Sequence, residues 1–211
     1  MNISIIGASA GVGLEAVKRA LARGHVVTTL ARSDVPVAEH TNLRRVKGSA
    51  LVKADVVAAL QSADALIVAL GTGKSRAATT MYSDFAKLLL NIHAESPIEI
   101  PVIILTGFGA GQSLEFFPNV LFKKAFQWFL GDVYRDKTLM EQMLTQSTLR
   151  WMMVRPGVLF NGDLTERYRV QTELVKGMRV GSIKRADVAD FMVKQAESPT
   201  CLLAYPALSN R

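Results

Sequence analysis

Short apolar runs alternate along the chain with longer stretches in which apolar residues recur three and four positions apart. The runs predict strands at residues 3–6, 25–30, 43–47, 65–70, 102–106 and 150–154, and the longer stretches predict helices at 14–22, 54–60, 79–94, 132–145 and 186–196. In the helix at 79–94 the inward positions are Met81, Phe85, Leu88, Leu89 and Ile92. The runs at 65–70 and 102–106 are almost continuously apolar, as expected of strands buried on both faces of a parallel sheet. Alternating strands and helices predict an α/β fold with right-handed crossovers, and the length suits a single domain over 1–211. Residues 163–184 read as polar and loop-like with room for one short strand, and 202–205 as a last strand.

The first strand runs directly into Gly7-Ala8-Ser9-Ala10-Gly11-Val12-Gly13, which opens the first helix. Glycines between a strand and a helix let a backbone approach a pyrophosphate, and the free N–H groups of the first helical turn favour its charge. The spacing is G-x-x-x-G-x-G rather than G-x-G-x-x-G, so its position in the chain carries the argument. A dinucleotide is the predicted ligand. At the end of the second strand an acidic residue would hold the ribose hydroxyls of NAD; this chain has Arg32, then Ser33. A planar guanidinium pairs well with a 2′-phosphate, which favours NADP, although Asp34 stands two residues on. Lys74 and Arg76 add positive charge after the fourth strand.

Charge and composition narrow the picture. The formal charge of +7 is scattered over small basic groups such as Arg44-Arg45-Lys47, Lys123-Lys124 and Lys184-Arg185, without a nucleic-acid motif. No apolar run approaches the roughly 18 residues of a membrane span, and the start of the chain has no signal-peptide pattern. The lone Cys201 suits a reducing cytoplasm. His25, His40 and His93 have no metal-ligand spacing, so no metal is expected. Ser9 superficially resembles a nucleophile elbow, but no His or Asp partners stand at recognisable positions. Phe116, Phe117, Phe122, Phe126, Trp128, Phe129 and Tyr134 crowd into one stretch. Phe122, Phe126 and Phe129 share a helical face, which either packs on the sheet or walls a pocket for a flat apolar substrate.

Four segments together resemble the short-chain dehydrogenase/reductase superfamily, in particular its atypical branch with the NmrA-like proteins and biliverdin reductase B, also called flavin reductase. They are the glycine turn, Ala63 through Thr72, Leu149 through Gly157 with its Arg-Pro-Gly ending, and Ser182 through Ala189. The resemblance implies a Rossmann-type doubly wound, mainly parallel sheet with helices on both faces. It implies cofactor contacts from Gly7, Ser9, Ala10, Gly11, Val12 and Gly13, from Arg32 and Ser33, and from Ser49 and Ala50. Further contacts are implied at Leu70, Gly71 and Thr72, at Thr106 and Gly107, and at Pro156, Gly157 and Val158. Ser49 stands where relatives often carry an Asp, and Ala10 where the NmrA-like pattern has a glycine.

The family's Tyr-x-x-x-Lys pair is incomplete. Lys137 looks like its lysine, which puts Val133 at the tyrosine position and Tyr134 one residue away. That offset is about 100° on a helix, so Tyr134 is expected to turn from the substrate. Thr106 keeps a hydroxyl at the end of the fifth strand, whereas the serine of the biliverdin reductase B pattern has become Gly107. The candidate catalytic residues are therefore Lys137, Thr106 and Tyr134. Hydride transfer to a flavin, quinone or tetrapyrrole needs few protein acid or base groups. The sequence thus points to an NADPH-dependent reductase of a flat conjugated acceptor, either monomeric or dimeric. The alternatives are a regulator of NmrA-like type that binds NAD(P) without turnover, and a cofactor-binding subunit docking through its aromatic face.

Overall fold

The computed structural model describes residues 1–210 except 74, 76, 118, 176, 177 and 179. Lys74, Arg76 and the side chain of Phe122 thus lie outside the described residues. The strands are β1 (Asn2–Ile6), β2 (Val26–Ala31), β3 (Leu43–Lys47), β4 (Ala65–Val68), β5 (Val102–Leu105), β6 (Trp151–Pro156), β7 (Val158–Phe160), β8 (Tyr168–Gln171), β9 (Ser182–Lys184) and β10 (Ala207–Asn210). The helices are α1 (Gly11–Ala22), α2 (Lys53–Leu60), α3 (Met81–Glu95), α4 (Val120–Thr145) and α5 (Arg185–Glu197). Eight strands form one sheet in the order β3-β2-β1-β4-β5-β6-β10-β8, and β7 pairs with β9 in a separate ribbon. Within the large sheet every pairing is parallel except that of β8 with β10. This is the doubly wound Rossmann-type arrangement, and its strand order reverses beside β1, where such sheets open a crevice at the carboxyl ends of the strands.

Both faces of the central strands are dry, which accounts for the continuous apolar runs. Ile3, Ile5, Ile67 and Ile103 point to one side and pack with Val17 and Ala20 of α1 and with Phe191 and Met192 of α5. Their neighbours Ile6, Leu66, Val68 and Ile104 point to the other, against Val56 of α2, Phe85 and Leu89 of α3 and Met140 of α4.

Three expectations need correction. From residue 122 onward the aromatic stretch and the helix expected at 132–145 are one 26-residue helix, α4, opened by Asn119, whose side chain accepts a hydrogen bond from the Leu121 N–H; Phe116 and Phe117 precede it. Residues 202–205 do run beside β6, with the Met153 N–H donating to the Ala204 carbonyl, but Leu203 has φ +57° and regular pairing begins only after Pro206. Residues 163–184 carry two strands, β8 and β9. Their polar residues answer buried carboxylates of α5: Asp187 accepts from Thr165 and the Glu166 N–H, and Asp190 accepts from Arg19, Lys194 and Tyr168. The polarity that reads as solvated loop is the complement of that acidic helix face.

One buried ion pair sets the position of α4. Arg155, near the end of β6, is fully buried, and its Nε and Nη2 donate to the Glu141 carboxylate at 3.1 and 2.6 Å. The Tyr205 ring lies 4.1 Å from the guanidinium carbon. Removing one charge from such a pair leaves the other unpaired in a poorly hydrated place, so Glu141→Gln should lower the unfolding free energy by about 3–5 kcal/mol in urea denaturation. A loss below about 1 kcal/mol, the scale of an exposed pair, would refute that role.

Candidate functional site

A cleft of about 1400 Å³ opens over the carboxyl ends of β1, β4, β5 and β6. Ordinary small-molecule pockets hold roughly 300–1,000 Å³, so this one has room for a cofactor and a second molecule. At one end lies the turn between β1 and α1. Gly7 has φ +86°, and a Cβ there would stand 2.5 Å from the Ala69 carbonyl oxygen; a Cβ on Gly13 would run into the Gly7 carbonyl. These two glycines let α1 start hard against β1 and β4. Ala10 at the helix start provides no side-chain cap, and the first turn of α1 has no acidic residue. Its N–H groups are therefore open to an anion, and the cradle has the shape and polarity that a dinucleotide's pyrophosphate requires.

The remaining predicted cofactor contacts gather around the same cleft. Gly7, Ser9, Ala10, Gly11 and Val12 line it, as do Arg32, Ser33, Ser49, Ala50, Leu70, Gly71, Thr72, Thr106, Gly107, Pro156, Gly157 and Val158. Gly13 alone of the set does not, because it packs beneath Gly7. Arg32 is exposed and makes no ion pair among the described residues, while Asp34 turns to Lys47 at 3.2 Å. Ser49 is fixed by its backbone: its N–H donates to the Asp55 carboxylate at 2.8 Å, and its hydroxyl accepts from the Leu51 N–H at 3.2 Å.

The other end is built by α4 and α3. Lys137 donates from Nζ to the Thr106 carbonyl at 2.5 Å, and the same atom stands 5.1 Å from the Tyr82 ring centre and 5.0 Å from that of Tyr134. Loss of hydration pulls the Lys137 ammonium down to about 8, against an upward pull from Glu141 one turn away. Tyr134 is not turned out of the site: it lines the cleft, and a Cβ on Gly107 would lie 2.5 Å from its hydroxyl oxygen. Burial, then the neighbouring Tyr82 and Glu141, push the Tyr134 hydroxyl up to about 12. Val133 also lines the cleft.

Tyr82 is the residue that pattern reasoning missed. It is buried in the first turn of α3, lines the cleft and is pushed up to about 12 by burial and then by Asp136. Asp136 is itself buried on α4, where its carboxylate accepts from the Tyr82 and Ser83 N–H groups at 2.8 and 3.3 Å. A carboxylate at a helix start is favourable, and this one locks Tyr82 beside Lys137. The available signal was a buriable tyrosine at a helix start just after Gly71-Thr72-Gly73.

Aromatic rings wall the cleft. Phe108, Phe117, Phe126 and Tyr134 make a chain with ring centres 5.6, 5.0 and 4.6 Å apart, and these four residues and Phe129 line the cleft. A Cβ on Gly109 would meet the Phe126 ring, so both Gly107 and Gly109 make room for aromatic groups. Trp128, in contrast, is 80% exposed. Among the described residues no group of three His, Cys, Asp or Glu side chains could hold a metal, and no helix is long and apolar enough to cross a membrane.

Comparison with known proteins agrees with this geometry. Residues 7–199 match the NAD(P)H-binding family. Among solved structures, ChuY from Escherichia coli is 25% identical with a TM-score of 0.73, covering 100% of this chain and 97% of its own. A second E. coli ChuY, named an anaerobillin reductase, is 23% identical with a TM-score of 0.76 and the same coverage. The oxidoreductase YlbE from Lactococcus lactis is 19% identical with a TM-score of 0.80, over 100% of this chain and 91% of its own. With nearly its whole length matched, the chain belongs to the NAD(P)H-binding family, and its strand order is consistent with an atypical short-chain dehydrogenase/reductase.

Proposed function

We propose that the protein is an NADPH-dependent reductase of a flat conjugated acceptor, of the flavin, quinone or tetrapyrrole class. The observation that carries this reading is the aromatic wall of Phe117, Phe126 and Phe129, which lines the same cleft as the glycine cradle and Lys137. The similarity to a protein named an anaerobillin reductase supports a reductase. In this reading residues 1–211 act as one cofactor-binding domain in the cytoplasm, and the partner is a small molecule.

NADPH, when bound, supplies a hydride. The acceptor takes up that hydride and one proton, and the protein's task is to place the acceptor and provide the proton. The aromatic wall stacks a flat ring system and excludes water from it. Tyr134, held near 12, stays protonated at neutral pH and serves as a hydrogen-bond donor rather than as a base. Lys137, near 8, is mostly ammonium at neutral pH and can release its proton. The balance of protonation suits reduction better than oxidation of an alcohol. Thr106 orients Lys137 through its carbonyl. Arg32 holds the 2′-phosphate, with Asp34 kept aside by Lys47.

Two measurements follow. With FMN, a naphthoquinone and biliverdin as acceptors, the protein should consume NADPH with at least one of them. Arg32→Ala should raise KM for NADPH about tenfold and leave KM for NADH within about twofold. Equal changes for both cofactors would remove Arg32 from 2′-phosphate recognition, and NADPH binding with no acceptor reduced would favour the non-catalytic regulator. Second, because the Lys137 ammonium is lost as pH rises through about 8, kcat should fall above that pH. Lys137→Met should lower kcat and flatten this alkaline limb; an unchanged pH profile in that variant would assign the proton to solvent.

A further inference from the structure

Arg185 has no part in the chemistry described so far, although it sits at the cleft. It is the first residue of α5 and directly follows β9, whose parallel pairing with β7 matches Val158 to Ser182 and Phe160 to Lys184. The ribbon is tight where it begins: a Cβ on Gly157 would run into the Gly181 carbonyl. Through this ribbon Arg185 reaches the glycine cradle, where its Nε lies 3.9 Å from the position a Cβ on Gly11 would take. Its Nη1 donates to Asn161 Oδ1 at 2.9 Å, and both residues line the cleft.

The electrostatics of this placement are unfavourable as they stand. The guanidinium lies beside the positive end of α1 and in the first turn of its own helix, and cations belong at the opposite ends of helices. Among the described residues it has no carboxylate within ion-pair distance. The acidic residue two positions along, Asp187, is already engaged by Thr165 and the Glu166 N–H. A guanidinium oriented by an amide, unpaired, and set next to free helix N–H groups is arranged to receive an anion with several oxygens.

We propose that Arg185, oriented by Asn161, is a ligand of the cofactor's diphosphate, so that the diphosphate bridges α1 to the β7–β9 ribbon. The inference rests on the cofactor reading above. It makes Arg185 responsive to the diphosphate and indifferent to the 2′-phosphate, which falls to Arg32.

The test compares NADPH, titrated by its nicotinamide fluorescence, with adenosine 2′-monophosphate, which has the outer phosphate and no diphosphate, as a competitor. Arg185→Ala should weaken NADPH binding about 10–100-fold while adenosine 2′-monophosphate stays within about twofold of wild type. Arg185→Lys should fall between, because it keeps the charge and loses the fork, and Asn161→Ala should give a smaller loss of the same kind. These two variants carry the test should the alanine protein fold poorly. NADPH affinity unchanged in Arg185→Ala, or an equal loss for adenosine 2′-monophosphate, overturns the inference alone. Wild-type protein that binds no NADPH overturns the cofactor reading, and this inference with it.

Discussion

The bidentate pair between Arg155 and Glu141 is the constraint on which the site depends. It is buried on both sides, with side-chain exposures of 0% and 3%, so neither charge can exchange its partner for water. Arg155 immediately precedes Pro156-Gly157, which line the cleft from β6, and Glu141 lies one helical turn beyond Lys137 on α4. The pair therefore fixes the rotation of a long helix relative to the sheet edge. Once that rotation is fixed, Lys137 meets the Thr106 carbonyl and Asp136 meets the start of α3. The same carboxylate keeps the Lys137 ammonium from falling further as burial strips its hydration. A structural ion pair thus tunes a group in the cleft at a distance of one turn.

Two departures from the patterns of the resembling families become a single one in three dimensions. After β5 the chain has Gly107 where the biliverdin reductase B pattern has a serine, and its tyrosine is displaced by one residue from the short-chain dehydrogenase position to 134. A side chain at 107 would collide with the Tyr134 hydroxyl, so the glycine is what lets the displaced tyrosine enter the cleft. The space extends through Gly109 to Phe126 and from there along the aromatic chain. At position 107 a hydroxyl has been exchanged for room beside an aromatic side chain, while Thr106 next to it keeps its own hydroxyl. That exchange is consistent with an acceptor whose own electronics do most of the work, leaving orientation to the protein.

Much of the fold is legible in the sequence because its central parallel strands are buried on both faces and are therefore nearly unbroken apolar runs. The glycine cradle is equally legible, since a positive φ at Gly7 and the close approach at Gly13 leave few other residues possible. What stays hidden depends on partners distant in sequence. Thr165 and Glu166 look like loop until Asp187 is known to face them, 22 and 21 residues on. Tyr134 looks misdirected until the vacancy at Gly107 is known. Tyr82 belongs to the site only because Asp136, 54 residues later, grips its backbone. Periodicity reports which way a side chain faces on its own element; it carries no information about what the neighbouring element has left open.

The central claim is that a glycine cradle at α1 and the lysine and aromatic groups of α4 serve one bound dinucleotide. A fluorescence titration of the purified protein with NADPH and NADH, each at low and raised salt, tests it most directly. Both cofactors should bind with enhanced nicotinamide emission, NADPH more tightly, and the difference should narrow as salt screens the 2′-phosphate. Failure of either cofactor to bind at any salt concentration would contradict the account at its foundation.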